Sequence, residues 1–251
     1  MTMAVFRTRF GGIVCEFAPP RRTVKNTKII IFAAGLPSSP SQKNFLELWS
    51  KKGYWVFFPR YRGAWESSGQ LLKNSPDKDI LDVLDGLSKG FKDIFTGRKF
   101  NVRPQRVYIF GTSFGGPAAI LASRDKRIDK VVALSPVVDW STESPEEPLD
   151  FLYKVIKDGF GKGYRISKRN WSKLKRGNFY NPARHMGELN PEKIFIIHAR
   201  DDRIVLYKHV AKFAKKLGCK FKTYRTGGHL RASRLIRPAL HREIARFLQS
   251  K

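Results

Sequence analysis

Residues 108 to 121 read YIFGTSFGGPAAIL, an apolar run broken by Gly111-Thr112-Ser113-Phe114-Gly115 and resumed in small and aliphatic residues. A serine between glycines, after a strand-like run and before a helix-like one, is held at a sharp turn with its side chain presented for reaction. A serine hydroxyl is a weak nucleophile near neutral pH, so this chemistry needs a histidine to take its proton and a carboxylate to orient that histidine. Of the five histidines, His229 in TGGH follows the last strand-like run, on the side where Ser113 must also lie. His198 sits inside the apolar IFIIHA and reads as a supporting residue. His209 and His241 belong to helical segments, and His185 lies near residue 190, where a long insertion ends. Two adjacent carboxylates, Asp201 and Asp202, follow KIFIIHA, and only one of them can be the orienter.

These residues need a frame. Short β-rich runs recur with helical patterns between them: KIIIFAAG (28 to 35), YWVFFP (54 to 59), RVYIFG (106 to 111), KVVALS (130 to 135), KIFIIHA (193 to 199) and CKFKTY (219 to 224). Near-continuous apolar strands alternating with helices predict an α/β fold, a doubly wound and mostly parallel sheet covered on both faces. Helical spacing joins Ile80, Leu84, Leu87, Phe91 and Ile94, then Leu206, Val210, Phe213 and Leu217, then Leu235, Leu240, Ile244 and Leu248. At the front, MAVFRTRFGGIVCEFA predicts an antiparallel hairpin turning at Gly11 and Gly12 on the sheet's edge. Residues 141 to 190 are longer than one crossover requires, and they predict a small helical cap over the strand ends. Its parts are the acidic STESPEEP, the helical LDFLYKVIKDGF and the basic GKGYRISKRNWSKLKRGN.

Composition narrows the classes. At 251 residues with no Gly/Ser/Pro-rich divider, the chain is expected to form one domain over 1 to 251. No apolar run approaches the roughly 20 residues of a membrane span, and the N-terminus lacks a signal-peptide pattern, so a cytoplasmic protein is expected. Cys15 and Cys219 form neither a disulfide framework nor a metal or redox spacing. The net charge of +28 is spread over nearly every segment, without a nucleic-acid-binding motif, so no specific nucleic-acid partner is expected. No cofactor or metal is called for.

The order Ser113, Asp202, His229, carried by GTSFGG, HARDDRIV and GGH, resembles the α/β-hydrolase fold, and within it the prolyl-oligopeptidase-type peptidases and esterases. The family's His-Gly-x-x-Asp-x-x-Val segment aligns with HARDDRIV, with Ala199 in place of the glycine and Val205 at the valine position. The resemblance therefore implies Asp202 as the orienting acid and sets Asp201 aside. The N–H of Phe114, directly after the nucleophile, and that of Leu36, in the loop after KIIIFAAG, are the expected oxyanion donors. PRYRGAWESSG (59 to 69) resembles the family's Arg-Gly-x-x-x-Ser-x-Gly loop through Arg62, Gly63 and Ser67. Arg60, Arg62 and Trp65 in that loop are candidate substrate-binding residues, with loop clamping as the alternative role for the arginines. The family's N-terminal propeller has no counterpart in the sequence, which favours an esterase over a peptidase. The implied activity is hydrolysis of carboxylic esters, or of amides and peptides, through an acyl-enzyme on Ser113. A non-catalytic module of the same fold, holding anionic partners on its basic surface, is the competing expectation, and a dienelactone-type hydrolase would place a cysteine where Ser113 stands.

Overall fold

A computed structural model describes residues 5–22 and 26–250. Each apolar run becomes a strand: β1 (Phe6–Phe10), β2 (Ile13–Ala18), β3 (Lys28–Ala33), β4 (Trp55–Pro59), β7 (Arg106–Thr112), β8 (Lys130–Leu134), β9 (Ile194–Ala199) and β10 (Lys220–Tyr224) form one eight-stranded sheet, with the two-residue β5 (Phe91–Lys92) and β6 (Lys99–Phe100) pairing apart from it. The order across the large sheet is β1-β2-β4-β3-β7-β8-β9-β10. The β1/β2 hairpin and the β2/β4 pair are antiparallel, and the other pairs are parallel. This is the doubly wound sheet and edge hairpin expected from the sequence, and Gly11 takes a left-handed φ of 55° in the turn, as a tight hairpin requires.

Successive strand residues point to opposite faces, and both faces here are apolar. Ile29, Ile31, Ile109, Val131 and Ile196 pack on one side with α2 (Asp77–Leu87), α3 (Gly115–Ala122) and α6 (Tyr207–Leu217). Ile30, Phe32, Phe110, Val132 and Ile197 pack on the other with α1 (Lys43–Lys51) and α7 (Pro238–Gln249). Burial on both faces is why these strands read as continuous apolar runs instead of alternating ones.

The helical pattern from Ile80 to Ile94 is overturned in its second half. The helix stops at Leu87, and Gly90 takes a φ of 80° that turns the chain into the β5/β6 hairpin. Phe91 sits four residues after Leu87 as a helical core residue would, but it packs edge-on against Phe10, Phe17 and Phe57 from the sheet. Ile94 is exposed near the hairpin tip. The last helical pattern is likewise divided: a short 3-10 turn carries Leu235, and α7 begins at Pro238, where the missing N–H costs no hydrogen bond.

Between β8 and β9 the chain forms α4 (Leu149–Phe160), the single-turn α5 (Lys168–Trp171) and several 3-10 turns. Trp171 Nε1 donates to Leu149 O at 2.9 Å, which ties the basic part of this segment back to the start of α4.

Candidate active site

The turn from β7 into α3 has the shape that Gly-x-Ser-x-Gly was expected to give. Ser113 takes φ 50°, a left-handed conformation uncommon outside glycine, and α3 begins two residues later. The glycines are there because neighbours are too close for a side chain. A Cβ on Gly115 would stand 2.1 Å from Ala33 O, and one on Gly116 would stand 2.3 Å from Pro136 Cβ. Tyr180, which sequence reasoning did not single out, fixes the same turn from the segment between β8 and β9: its buried hydroxyl accepts from the Ala118 N–H at 3.2 Å and donates to Phe114 O at 2.5 Å.

Asp202 and His229 meet across the ends of β9 and β10. Asp202 Oδ2 is 2.9 Å from His229 Nδ1 and Oδ1 is 3.2 Å from it. Oδ1 also accepts the N–H groups of Ile204 and Val205, each at 3.0 Å, so the carboxylate is aimed by its own loop. Burial pushes the Asp202 carboxyl up, but His229, the Val205 N–H and His198 outweigh it and hold it below the ordinary aspartate value. Asp201 turns elsewhere. Its two oxygens accept the N–H groups of Gly227 (3.1 Å) and Gly228 (2.9 Å), which fixes the loop that carries His229.

On the other side of His229, Leu230 N–H donates to Ser135 Oγ at 3.2 Å, and Ser113 N–H donates to Leu134 O at 3.0 Å. The histidine loop and the serine turn are thus fastened to consecutive residues at the end of β8. No hydrogen bond joins Ser113 to His229 among the described residues.

His198 is fully buried. Its Nε2 is 2.8 Å from Val205 O and 3.4 Å from Asp202 Oδ2, while Nδ1 has no partner among the described residues. Nε2 donates to the carbonyl, and burial, with His229 adding to it, holds the pKa of the ring below the ordinary histidine value despite Asp202 and Val205.

A cavity of about 50 Å³ opens beside Ser113, with Leu36 and Phe114 in its wall. Among the described residues, neither the Leu36 N–H nor the Phe114 N–H enters a hydrogen bond. The remaining wall comes from the segment after β8, including Trp140, Glu147 and Leu152, and from the Ile204–Leu206 loop with His209. Glu147 and His209 were not foreseen as site residues, because only the tertiary path of STESPEEP and the start of α6 brings them to Ser113. Among the described residues no group of His, Cys, Asp and Glu is arranged to hold a metal ion.

The three candidate substrate-binding residues are engaged elsewhere. Arg60 is buried, with Nη2 2.9 Å from Glu16 and Nη1 2.5 Å from Glu66. Arg62 pairs with Asp79 at 2.5 Å and Asp82 at 2.7 Å. Trp65 packs against Phe160 and Tyr164. None of the three lines the cavity beside Ser113, and each arginine has a carboxylate on both terminal nitrogens.

The prolyl oligopeptidase family model matches residues 40–251. The chain belongs to the prolyl oligopeptidase family. Among curated relatives of this family member, the quorum-quenching protein AidA of Acinetobacter baumannii is 29% identical over 143 residues, covering 54% of the chain and 45% of AidA. Among solved structures, a Mycobacterium tuberculosis puromycin-hydrolyzing peptidase superposes with a TM-score of 0.69 at 16% identity, over 98% of the chain and 39% of the peptidase. Pyrococcus horikoshii acylaminoacyl peptidase gives 0.63 at 17% identity, over 98% of the chain and 40% of that enzyme. A putative dipeptidyl aminopeptidase IV from Bacteroides ovatus gives 0.68 at 17% identity, over 99% and 36% respectively. The chain therefore spans less than half the length of each of these relatives, and at such identities the solved structures establish the shared fold. No helix among the described residues is long and apolar enough to cross a membrane.

Proposed function

We propose that the chain is a serine hydrolase that cleaves carboxylic esters through an acyl-enzyme on Ser113. The observation that carries this reading is the bidentate approach of Asp202 to His229 Nδ1, on a loop fastened beside a serine held at φ 50°. With Nδ1 facing the carboxylate, Nε2 is the nitrogen free to exchange a proton with Ser113. His229 Nε2 takes the Ser113 proton as Oγ bonds to the substrate carbonyl, and the carbonyl π electrons move to oxygen. The Leu36 and Phe114 N–H groups receive that oxyanion, while Asp202 stabilises the imidazolium and stays ionised. Collapse expels the alkoxide, which takes the proton from His229. Water then repeats the sequence on the acyl-enzyme, releasing the acid and restoring Ser113.

Family membership supports hydrolysis in general, and the cavity beside Ser113 offers a place for the acyl part of an ester. The experiment is labelling by a fluorophosphonate, which needs an activated serine and is indifferent to the natural substrate, together with turnover of p-nitrophenyl esters of graded chain length. Labelling that disappears in Ser113→Ala, with turnover falling by several orders of magnitude, is the expected result. An unlabelled wild-type protein would leave the non-catalytic module as the better reading.

A further inference from the structure

The chain carries 49 Lys and Arg against 21 Asp and Glu, so a carboxylate without a cationic partner near the candidate nucleophile is unexpected. The acids around the cavity beside Ser113 differ in their bonding. Oδ1 of Asp139 accepts from the Ser141 N–H and hydroxyl and from Asn181 Nδ2. Glu143 pairs with Lys175 at 3.3 Å. Glu147, half-buried in the same wall, has no hydrogen bond or ion pair among the described residues. It lies near enough to His229 and Asp202 for both to act on its titration: burial pushes its carboxyl above the ordinary value, His229 pulls it down and Asp202 adds to the rise. Leu36, Val137, Leu149 and Leu152 give the same cavity an apolar part of its wall.

A partly dehydrated carboxylate left unpaired loses solvation without an offsetting partner, and a cation brought to it restores the balance. We propose that Glu147 is the specificity-determining group of this cavity and receives a cationic, ammonium-type group on the acyl part of the substrate, with the apolar wall holding the carbon chain between that group and the carbonyl at Ser113. This rests on the hydrolase reading above. The protein's overall field cannot produce such a preference, because a net charge of +28 repels cations from the surface at large. Any preference for a cationic acyl group must therefore arise locally.

The test compares kcat/KM for two isosteric p-nitrophenyl esters, one whose acid ends in a trimethylammonium group and one ending in the tert-butyl group of the same shape. Taking the ratio cancels any effect of Glu147 on His229 itself, since both esters use the same imidazole. In wild type the cationic ester is expected to be preferred. Glu147→Gln should lower the ratio about fivefold, the scale of a partly exposed ion pair, Glu147→Asp should retain part of the preference, and Glu147→Lys should favour the neutral ester. Fluorophosphonate labelling of each variant reports whether the serine site is assembled. An unchanged ratio in a labelled Glu147→Gln protein overturns the inference while leaving the hydrolase reading intact. Should that variant fail to fold, wild type decides: a cationic ester no better than its isostere overturns the inference. Absence of both labelling and turnover in wild type overturns the hydrolase reading, and the inference with it.

Discussion

Asp201 accepts a 2.9 Å hydrogen bond from the backbone N–H of Gly228, the residue immediately before His229. The neighbouring Asp202 holds the imidazole itself. Adjacent carboxylates therefore divide the work, one fixing the loop and the other the ring.

The division predicts a ranking. Asp202→Asn should lower ester turnover by about 10⁴, the scale for a triad whose acid can no longer select the right tautomer. Asp201→Asn keeps one acceptor oxygen but turns an amide N–H toward one of the two glycine N–H groups, so about a tenfold loss is expected. Steady-state kinetics on the two variants checks the order, and a reversed ranking would mean that Asp201 is the orienter.

His198 predicts a pH dependence of stability. Its pKa is depressed in the folded chain, so between that value and the unfolded value of about 6.5 the unfolded chain binds more protons. Its effect is absent above the unfolded value, and stability falls as pH drops through this window. His198→Gln, which can keep an N–H donor toward Val205 O without titrating, should flatten the decline in Tm between about pH 7 and pH 5. His209 and His241, also lowered chiefly by burial, leave a residual slope. Thermal unfolding of both proteins across that range gives the comparison.

Two glycines predict opposite outcomes for one added methyl. In Gly115→Ala the Cβ meets Ala33 O at 2.1 Å, so the serine turn must shift, and loss of Tm and of fluorophosphonate labelling is expected. Gly159, near the end of α4, has open space around it, and Gly159→Ala should raise stability by up to about 1 kcal/mol through helix propensity. Denaturant unfolding of the pair measures both.

Arg60 separates clamping from substrate recognition. Arg60→Met leaves Glu16 with Arg7 as its one ion-pair partner among the described residues, so the loss should stay below the roughly 3 to 5 kcal/mol of a buried charge left wholly unpaired. The expected effect is a lower unfolding midpoint, with the kcat/KM ratio between a carboxylate-bearing and a neutral ester unchanged. A selective loss for the anionic ester would restore a recognition role to Arg60.

Much of the frame was legible because strands buried on both faces leave unbroken apolar runs, and the serine turn because crowding against Ala33 and Pro136 forces glycine at 115 and 116. The choice of Asp202 over Asp201 was not in the residue types. It came from aligning HARDDRIV with the family's acid segment. Phe91 was misread because a residue four places after Leu87 fits a helix face and a hairpin equally well, and Gly90 alone marks the change. Glu147 gave no signal at all. An acidic, proline-marked loop looks solvated until it is seen to line a cavity with Ser113, and the bonding of Tyr180 to the serine turn likewise depends on the path of the segment between β8 and β9.

The anchoring of the His229 loop has a consequence for local opening. β10, which leads into that loop, is one of the two edge strands of the large sheet, and its residues are partly or fully exposed, so its outer hydrogen-bonding side can open locally. Residues 227, 228 and 230 are nevertheless tethered to Asp201 and Ser135, which follow β9 and β8. The imidazole is thereby insulated from its own strand: amide hydrogens of β10 can exchange with solvent through edge opening while the histidine stays moored to the sheet interior.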